Sequence, residues 1–494
     1  MRQQPSGIWI IVLLGLWVLP GCTNWSLEEV NLYDAREVAV PLFQTRFTMP
    51  EALTGGTHTV VVGTDGSVAL EYSSQEIALT ASDLFPVLPV GFPIPLPDTV
   101  SRIPVPTAGG WSIQRVKFKS TRFVLSIRYQ TDQPLDFWLE APNATQTGDP
   151  WQQHFTLPVH PSADNWQSPR IDLDGTIMDL PNGEILLKYY VSDQILPDPF
   201  TVTATFTSID FYEISGTFAR TDQPIPGGEL PIDVFENWQG GDFAVDGPAL
   251  SVSIRNSFGI PVSLYIDQLI AVDASGNASD LVTTAFPQPL PVAFPGQGEQ
   301  GSAKNTEIVI DPGNSNIQAL IQEQPVRVIY QVHGVINPDL QEGPFFALDS
   351  SQVMIDSRLK IPLAGTLSSY QGQDTFPLSV PEYQGIQEAT IRWTTTNEVP
   401  LALTIRGVLH GDNDVVLGEL WQGWANVASG AVNGQVSKEQ TDLVIDPNLI
   451  NQLAGAAYLV IYYEMKTTGS EPVRVYADQQ IECEVGLKLT VARE

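Results

Sequence analysis

The residues best suited to metal or acid–base chemistry in this 494-residue sequence are five histidines: His58, His154, His160, His333 and His410. Only His154 and His160 lie near each other. A separation of six is not diagnostic on a strand, and it is not the helical i, i+4 pair of a zinc site, nor does an acidic motif accompany it. Ser357-Arg358-Leu359-Lys360 spells Ser-x-x-Lys. That nucleophile pattern needs a helix start and companion motifs, and here it falls in a predicted strand. The sequence contains no Gly-x-Ser-x-Gly elbow, phosphate loop or dinucleotide fingerprint. The expectation is a non-enzyme with no cofactor, no catalytic residue and no metal centre.

Binding chemistry offers more. Asp273-Ala274-Ser275-Gly276-Asn277-Ala278-Ser279-Asp280 and Asp172-Leu173-Asp174-Gly175 place oxygen ligands on turns, as a hard cation requires, but neither is a full calcium loop closed by Glu. Hairpin turns use the same residues for backbone reasons. Arg115, Lys117 and Lys119 alternate with Val116 and Phe118, which makes one strand face basic against an acidic background. That face suits anionic lipid headgroups or an acidic partner; the plainer use is a solvated or charge-guarded strand. Trp111, Trp138, Trp151, Trp166, Trp238 and Trp393 are expected mainly in cores, whereas Trp421-Gln422-Gly423-Trp424 offers Trp421 and Trp424 as a sugar-stacking pair.

Composition narrows the class. Lys and Arg total 24 against 56 Asp and Glu, a formal charge of −32. Phosphate contacts need a basic face, so nucleic acid is excluded as a partner. The hydrophobic share of 43% can fill several cores, and 39 Gly with 39 Pro favour turns over long helices. The two cysteines, Cys22 and Cys483, do not make a disulfide framework.

At the N-terminus Arg2 precedes an apolar run from Ile8 to Leu19, followed by Leu19-Pro20-Gly21-Cys22. The run is too short to span a bilayer as a helix and suits a signal-peptide core. The Leu-x-Gly-Cys ending resembles a bacterial lipobox, with Pro20 as a departure. The resemblance implies cleavage after Gly21 and lipidation of Cys22, with a palmitate-type acyl chain among the anchors. Each buried CH₂ contributes about 0.8 kcal/mol, so more than one chain gives firm anchoring. Leu27-Glu28-Glu29 resembles a short acidic export signal of surface lipoproteins.

The elements that must position these residues are strands in a repeat. Val252, Ile254, Phe258, Ile260, Val262, Leu264 and Ile266 alternate with mostly polar or small residues, a strand pattern broken by a corner at Asn256-Ser257-Phe258-Gly259 and Pro261. Ser126-Ile127-Arg128 and Pro134 lie 127 positions earlier than Ser253-Ile254-Arg255 and Pro261. A third copy runs from Ala389-Thr390-Ile391-Arg392 through Pro400, with two more residues between its halves, an insertion that keeps the side-chain face. Thr306 to Pro312 and Thr441 to Pro447 match as well, each expected to end in an Asp-capped short helix starting at Pro. A repeat of this length is a whole sandwich domain rather than a solenoid unit.

The predicted organisation is a signal peptide over 1–21, a tether over 22–34, an N-terminal β-rich and Pro-rich segment over 35–106, and sandwich repeats over 107–222, 230–358 and 359–494. Residues 220–231 are expected to be a linker. The prolines from Phe85 to Pro106 are expected to hold an extended spacer or wrapped arm with little sheet pairing. The fold class is all-β, with tandem immunoglobulin-like sandwiches and short helices.

Arg255 to Val262 resembles the strand corner of late-embryogenesis-abundant type 2 domains, which are immunoglobulin-like sandwiches. The last 270 or so residues resemble uncharacterised β-rich lipoproteins of Bacteroidetes-type bacteria, at Arg358-Leu359-Lys360-Ile361-Pro362-Leu363, Ile386-Gln387-Glu388-Ala389 and Val473-Arg474-Val475-Tyr476-Ala477-Asp478. That resemblance implies an outer-membrane-associated protein and supplies no activity. The expected function is a lipid-anchored envelope protein with a structural, adhesive or binding role. The alternative is a surface glycan- or lipid-binding lipoprotein. Its partners would be the membrane, through Cys22, and other envelope proteins or glycans.

Overall fold

The computed structural model describes residues 37–491, apart from 55, 86–89, 98, 106–109, 193–195, 236–240, 379–385, 433, 451 and 453–454. The signal peptide, Cys22 and the tether lie outside the described residues. The chain is all-β and antiparallel, arranged among the described residues as three sandwiches. Helices there are four to six residues long, and none is long and apolar enough to cross a membrane.

Each sandwich is built around the repeated corner. In the first, Arg122–Thr131 lies in one sheet and Leu135–Gln146 in the other. Ala249–Asn256 and Val262–Asp273 divide in the same way in the second, as do Ile386–Asn397 and Leu401–His410 in the third. Alternation does the work: Leu125, Ile127, Phe137 and Leu139 are fully buried between the sheets, while Arg128 faces solvent.

The corners share a polar residue whose backbone mimicry turns the chain. Asn256 Oδ1 accepts from the Phe258 amide at 2.9 Å. Asn397 Oδ1 accepts from the Val399 amide at 2.8 Å, and its amide donates to the carbonyls of Leu401 and Ser429. Thr131 Oγ1 fills this place in the first copy and accepts from the Gln133 amide at 3.3 Å. Asn256, Thr131 and Asn397 follow the repeated arginine by one, three and five positions respectively. Lengthening the strand in steps of two keeps the turning residue on the face opposite the exposed arginine.

The stretch 35–106 forms no unit of its own. Its strands are distributed among all three sandwiches, in reverse order of sequence. Glu37–Thr48 pairs with Gln480–Val491, the last strand of the third sandwich. Val68–Ser73 and Ile77–Thr80 pair with Gln352–Pro362, the last corner-sheet strand of the second. Pro93–Leu96 pairs with Phe200–Ser208, its counterpart in the first, and Val100–Pro104 with Glu184–Val191. One N-terminal arm therefore closes a sheet in every sandwich. The expectation of little sheet pairing across the Pro-rich stretch is corrected here: these are edge strands, where a proline can turn its missing N–H away from the ladder.

Two further expectations are revised for similar reasons. Residues 220–231 are not a free linker, because Thr221–Pro224 and Gly228–Pro231 pair with Pro325–Ile336 at a sheet edge. Asp446 does precede a helix, Pro447–Ile450, and accepts from the Asn448 amide at 2.8 Å. Asp311 instead accepts from the Gly313 amide in a turn, and the helix there starts at Ile317. Gly313 and Asn314 spend those residues on a turn, with Asn314 Oδ1 accepting the Asp311 amide.

Candidate functional site: an outward aromatic ladder

The outer face of the first sandwich assembles a group that no single stretch of sequence contains. Leu135–Gln146 pairs on one side with Asp149–Leu157 and on the other with Glu184–Val191. The register sets His154 and Tyr190 directly opposite Trp138. Phe137, Leu139 and Tyr189 point into the core, so Trp138 and Tyr190, on the opposite parity, must point out. The Trp138 and Tyr190 rings stack at 5.3 Å with an interplanar angle of 11°, and Trp138 and His154 lie 4.7 Å apart at 31°. At strand spacings near 4.8 Å the three rings extend over about 10 Å.

Polar groups rim this ladder. Asp136 Oδ1 lies 3.0 Å from His154 Nε2 and accepts from Thr156 Oγ1 at 3.1 Å. On the other side the Tyr190 hydroxyl donates to Glu140 at 2.8 Å, which with partial burial and the carboxylate charge raises the phenol's pKa. Lys188 Nζ lies 3.8 Å from Glu140 and 5.5 Å from the Tyr190 ring centroid. The carboxylates thus hold the outer rings in place while keeping acceptor capacity toward solvent. An aromatic surface with acceptors at both rims suits a pyranose, whose C–H bonds meet apolar ring surface while its hydroxyls donate to carboxylates.

The residues singled out from sequence take other places. Val116 and Phe118 are buried, so the alternation of Arg115, Lys117 and Lys119 stands. Their strand, Ser112–Phe118, is nevertheless interior to its sheet rather than an edge. Arg115 pairs with Asp179 at 2.8 Å and Lys119 with Asp349, while Lys117 and Lys119 each sit 5.6 Å from the Tyr212 ring centroid. Trp421 and Trp424 do not form a surface pair. Trp421 is buried, 4% exposed, and packs over Gly407, whereas Trp424 is 47% exposed. Alternation does not apply across the Gly423 turn, where φ is +68°, so two tryptophans three apart part company.

Asp273 spends its carboxylate on the amides of Ser275 and Asn277 and on the Asn277 side chain, and Asp172 on Arg122 and the Asp174 amide. Both are turns of the kind hairpins use. Ser357 and Lys360 fall on opposite faces of Gln352–Pro362, with the Ser357 hydroxyl bonded to Ser74 at 2.8 Å. His160 meets the edge of Tyr129, away from His154. Sequence reasoning passed over Trp138, which it grouped with core tryptophans. The available signal was parity: Trp138 sits between two inward residues of an alternating strand.

No protein-family model matches the chain, and no curated protein matches it. Among solved structures it is similar to a protein assigned as secreted from Parabacteroides distasonis ATCC 8503, at 14% identity and TM-score 0.31, over 56% of this chain and 87% of that one. It is also similar to the CBM22-1-CBM22-2 tandem domain of Paenibacillus barcinonensis Xyn10C, at 11% identity and TM-score 0.15, over 56% and 87% respectively. The infectious bursal disease virus Gx strain structure is similar at 9% identity and TM-score 0.15, over 89% of this chain and 82% of that one. Likeness of this depth assigns no function.

Proposed function

We propose that this chain is an exported, lipid-anchored, non-catalytic bacterial envelope protein that binds neutral glycan on the first sandwich. The observation that carries the binding role is the outward ladder His154–Trp138–Tyr190, rimmed by Asp136, Glu140, Thr156 and Lys188. His154 is exposed and Trp138 and Tyr190 are half-buried, so the stacked row keeps some apolar surface in water, which a ligand covering it would relieve. Two rim carboxylates and a net charge of −32 disfavour uronic-acid or sulfated polymers. The leader over 1–21, ending just before Cys22, supports anchoring at the membrane. A role in anionic-lipid contact for Arg115, Lys117 and Lys119 has less support, because Arg115 and Lys119 already hold carboxylate partners.

The test is affinity electrophoresis in native gels cast with hydroxyethyl cellulose, xylan, barley β-glucan, mannan or polygalacturonate. Retardation by a neutral polymer, weakened in Trp138→Ala and kept in Trp138→Phe, is the expected result. Unretarded migration of the unsubstituted protein in every gel, or equal retardation of Trp138→Ala, would refute the assignment.

A further inference from the structure

We infer that Tyr265, Asp267 and His333 form a second sugar subsite on the second sandwich, which makes the chain bivalent for one class of neutral glycan. The inference rests on the glycan-binding role proposed for the first sandwich. The repeat offset of 127 carries Trp138 to Tyr265 and Glu140 to Asp267. Strand register supplies the third member: Trp138 stands opposite Tyr190, and Tyr265 stands opposite His333 on Pro325–Ile336. Both sites therefore have one construction. An aromatic ring on the second corner strand stacks on a ring of the neighbouring strand, and the acid two residues along holds that second ring.

The geometry of the second trio is tight. The Tyr265 and His333 rings stack at 4.8 Å with an interplanar angle of 2°. His333 Nδ1 lies 2.8 and 2.9 Å from the two Asp267 oxygens. Asp267 sits at a shift of register between Ile266 and Gln268, which lets its side chain reach across to the ring. Leu264 is buried beneath, so the trio faces out, with the His333 and Asp267 side chains 36% and 48% exposed. Among the described residues His333 Nε2 meets no hydrogen-bond partner and is available to a sugar hydroxyl. Asp267 disfavours anionic sugars here as Glu140 does in the first sandwich.

The third sandwich shows what the same register looks like without a site. The position of Trp138 and Tyr265 is Thr404 there, opposite Glu464, and two residues on stands Arg406, paired with Glu419 at 2.6 Å. Its stacked rings, His410 and Tyr458, lie six residues farther along the strand. That pair has an acid of its own, Asp414, which accepts from the Tyr458 hydroxyl, but at another register; at the register of Trp138 and Tyr265 the ring–ring–acid trio is kept in two copies.

The experiment uses the full chain in native gels of hydroxyethyl cellulose, xylan and barley β-glucan, with Trp138→Ala, Tyr265→Ala, Asp267→Asn, Tyr265→Phe and the double Trp138→Ala/Tyr265→Ala. Two linked sites exceed either alone through effective concentration. Each single alanine variant is therefore expected to weaken polymer binding at least tenfold while leaving measurable retardation. The double variant should migrate as in a blank gel, and Tyr265→Phe should bind within about threefold of the unsubstituted chain, a loss of under ~0.7 kcal/mol. Asp267→Asn keeps the shape of the site and should weaken binding in the same direction as Tyr265→Ala. If Tyr265→Ala and Asp267→Asn bind like the unsubstituted chain while Trp138→Ala abolishes retardation, the second subsite is refuted and the first stands. If Trp138→Ala binds unchanged and Tyr265→Ala does not, the second subsite stands and the first is refuted. No retardation of the unsubstituted chain refutes both.

Discussion

His58 Nδ1 lies 3.2 Å from Asp233 Oδ1 with both side chains out of solvent, and this contact fastens the N-terminal arm to the second sandwich. His58 Nε2 meets the Leu53 carbonyl at 2.9 Å. Both of its neighbours are acceptors, an arrangement that favours the doubly protonated ring. Asp233 also accepts from the Thr57 amide and the Tyr72 hydroxyl. Burial alone would lower the His58 pKa; the Asp233 hydrogen bond, the Leu53 carbonyl and the Asp233 charge outweigh it and raise it. Burial alone would raise Asp233, and its donors and the imidazolium outweigh that and lower it.

The pH dependence follows from these directions. A histidine raised above its unfolded value near 6.5 contributes fully below about pH 6.5 and loses that contribution as pH rises through the folded value. An aspartate lowered below about 3.9 contributes above about pH 4 and loses it as pH falls. The melting midpoint should be highest between about pH 4 and 6.5 and decline on the alkaline side. That decline should flatten in His58→Gln, measured by scanning fluorimetry at pH 5.5 and 9; an equal decline in both proteins would count against the clamp. Asp233→Ala, which strands a buried cation, should cost about 3–5 kcal/mol at pH 5.5.

Gly259 and Phe346 should be energetically coupled. Their backbones exchange hydrogen bonds at 2.9 and 3.2 Å, and a Cβ on Gly259 would come within 2.2 Å of the buried Phe346 ring. Phe345–Leu348 also pairs with Phe211–Thr217 of the first sandwich, so the glycine seats a strand that bridges two sandwiches. Gly259→Ala should cost about 1–3 kcal/mol by overpacking. With Phe346→Leu the losses should fall short of additive by about 0.5–3 kcal/mol in urea unfolding. Additive losses would show that the ring has room to move.

Lipid anchoring is expected to depend on one thiol. Cells grown with an alkyne fatty acid should label the unsubstituted protein and leave Cys22→Ala unlabelled and released from membranes. Label retained on Cys22→Ala would end the lipoprotein assignment.

The corner strands were legible in sequence because their signal is local. Ile127, Ile254 and Ile391 beside Arg128, Arg255 and Arg392 announce a strand face whatever pairs with it. The arm was not legible, because Glu37–Thr48 carries no mark that names Gln480–Val491 as its partner. Such pairing is decided by which sheet edge remains open after the sandwich forms. Of the candidate site, Trp138 could be placed by parity alone. Joining it to His154 and Tyr190 required the register of two strand pairs, one of them shifted by an irregularity between Pro150 and Gln152 that no sequence pattern marks. Trp421 misled because adjacency in sequence does not keep two rings on one surface once a glycine turn separates them.

The arm's grip on the third sandwich can be read through Cys483. The thiol is buried, stands opposite Thr45 of the arm, and lines a cavity of about 40 Å³ together with Phe47 and Trp393. Burial raises its pKa against the opposing contacts with Thr395 and Trp393, so little thiolate is present at pH 8 and the closed protein should react slowly with a disulfide reagent. Phe47 is part of the wall that the arm contributes. Phe47→Ala removes a large buried side chain, which typically costs about 3–5 kcal/mol when the site cannot collapse. Much of that loss should fall on the arm strand, since the corner strands keep their own core. Each 1.4 kcal/mol of easier opening multiplies the open population about tenfold. In a Cys22→Ser background, labelling of Cys483 should therefore accelerate at least tenfold in Phe47→Ala, while Phe376→Ala, on the other sheet, should leave the rate within about threefold. Equal rates in Phe47→Ala and its parent would mean that the thiol is reached by unfolding of the whole sandwich, with the arm and the sheet opening as one unit.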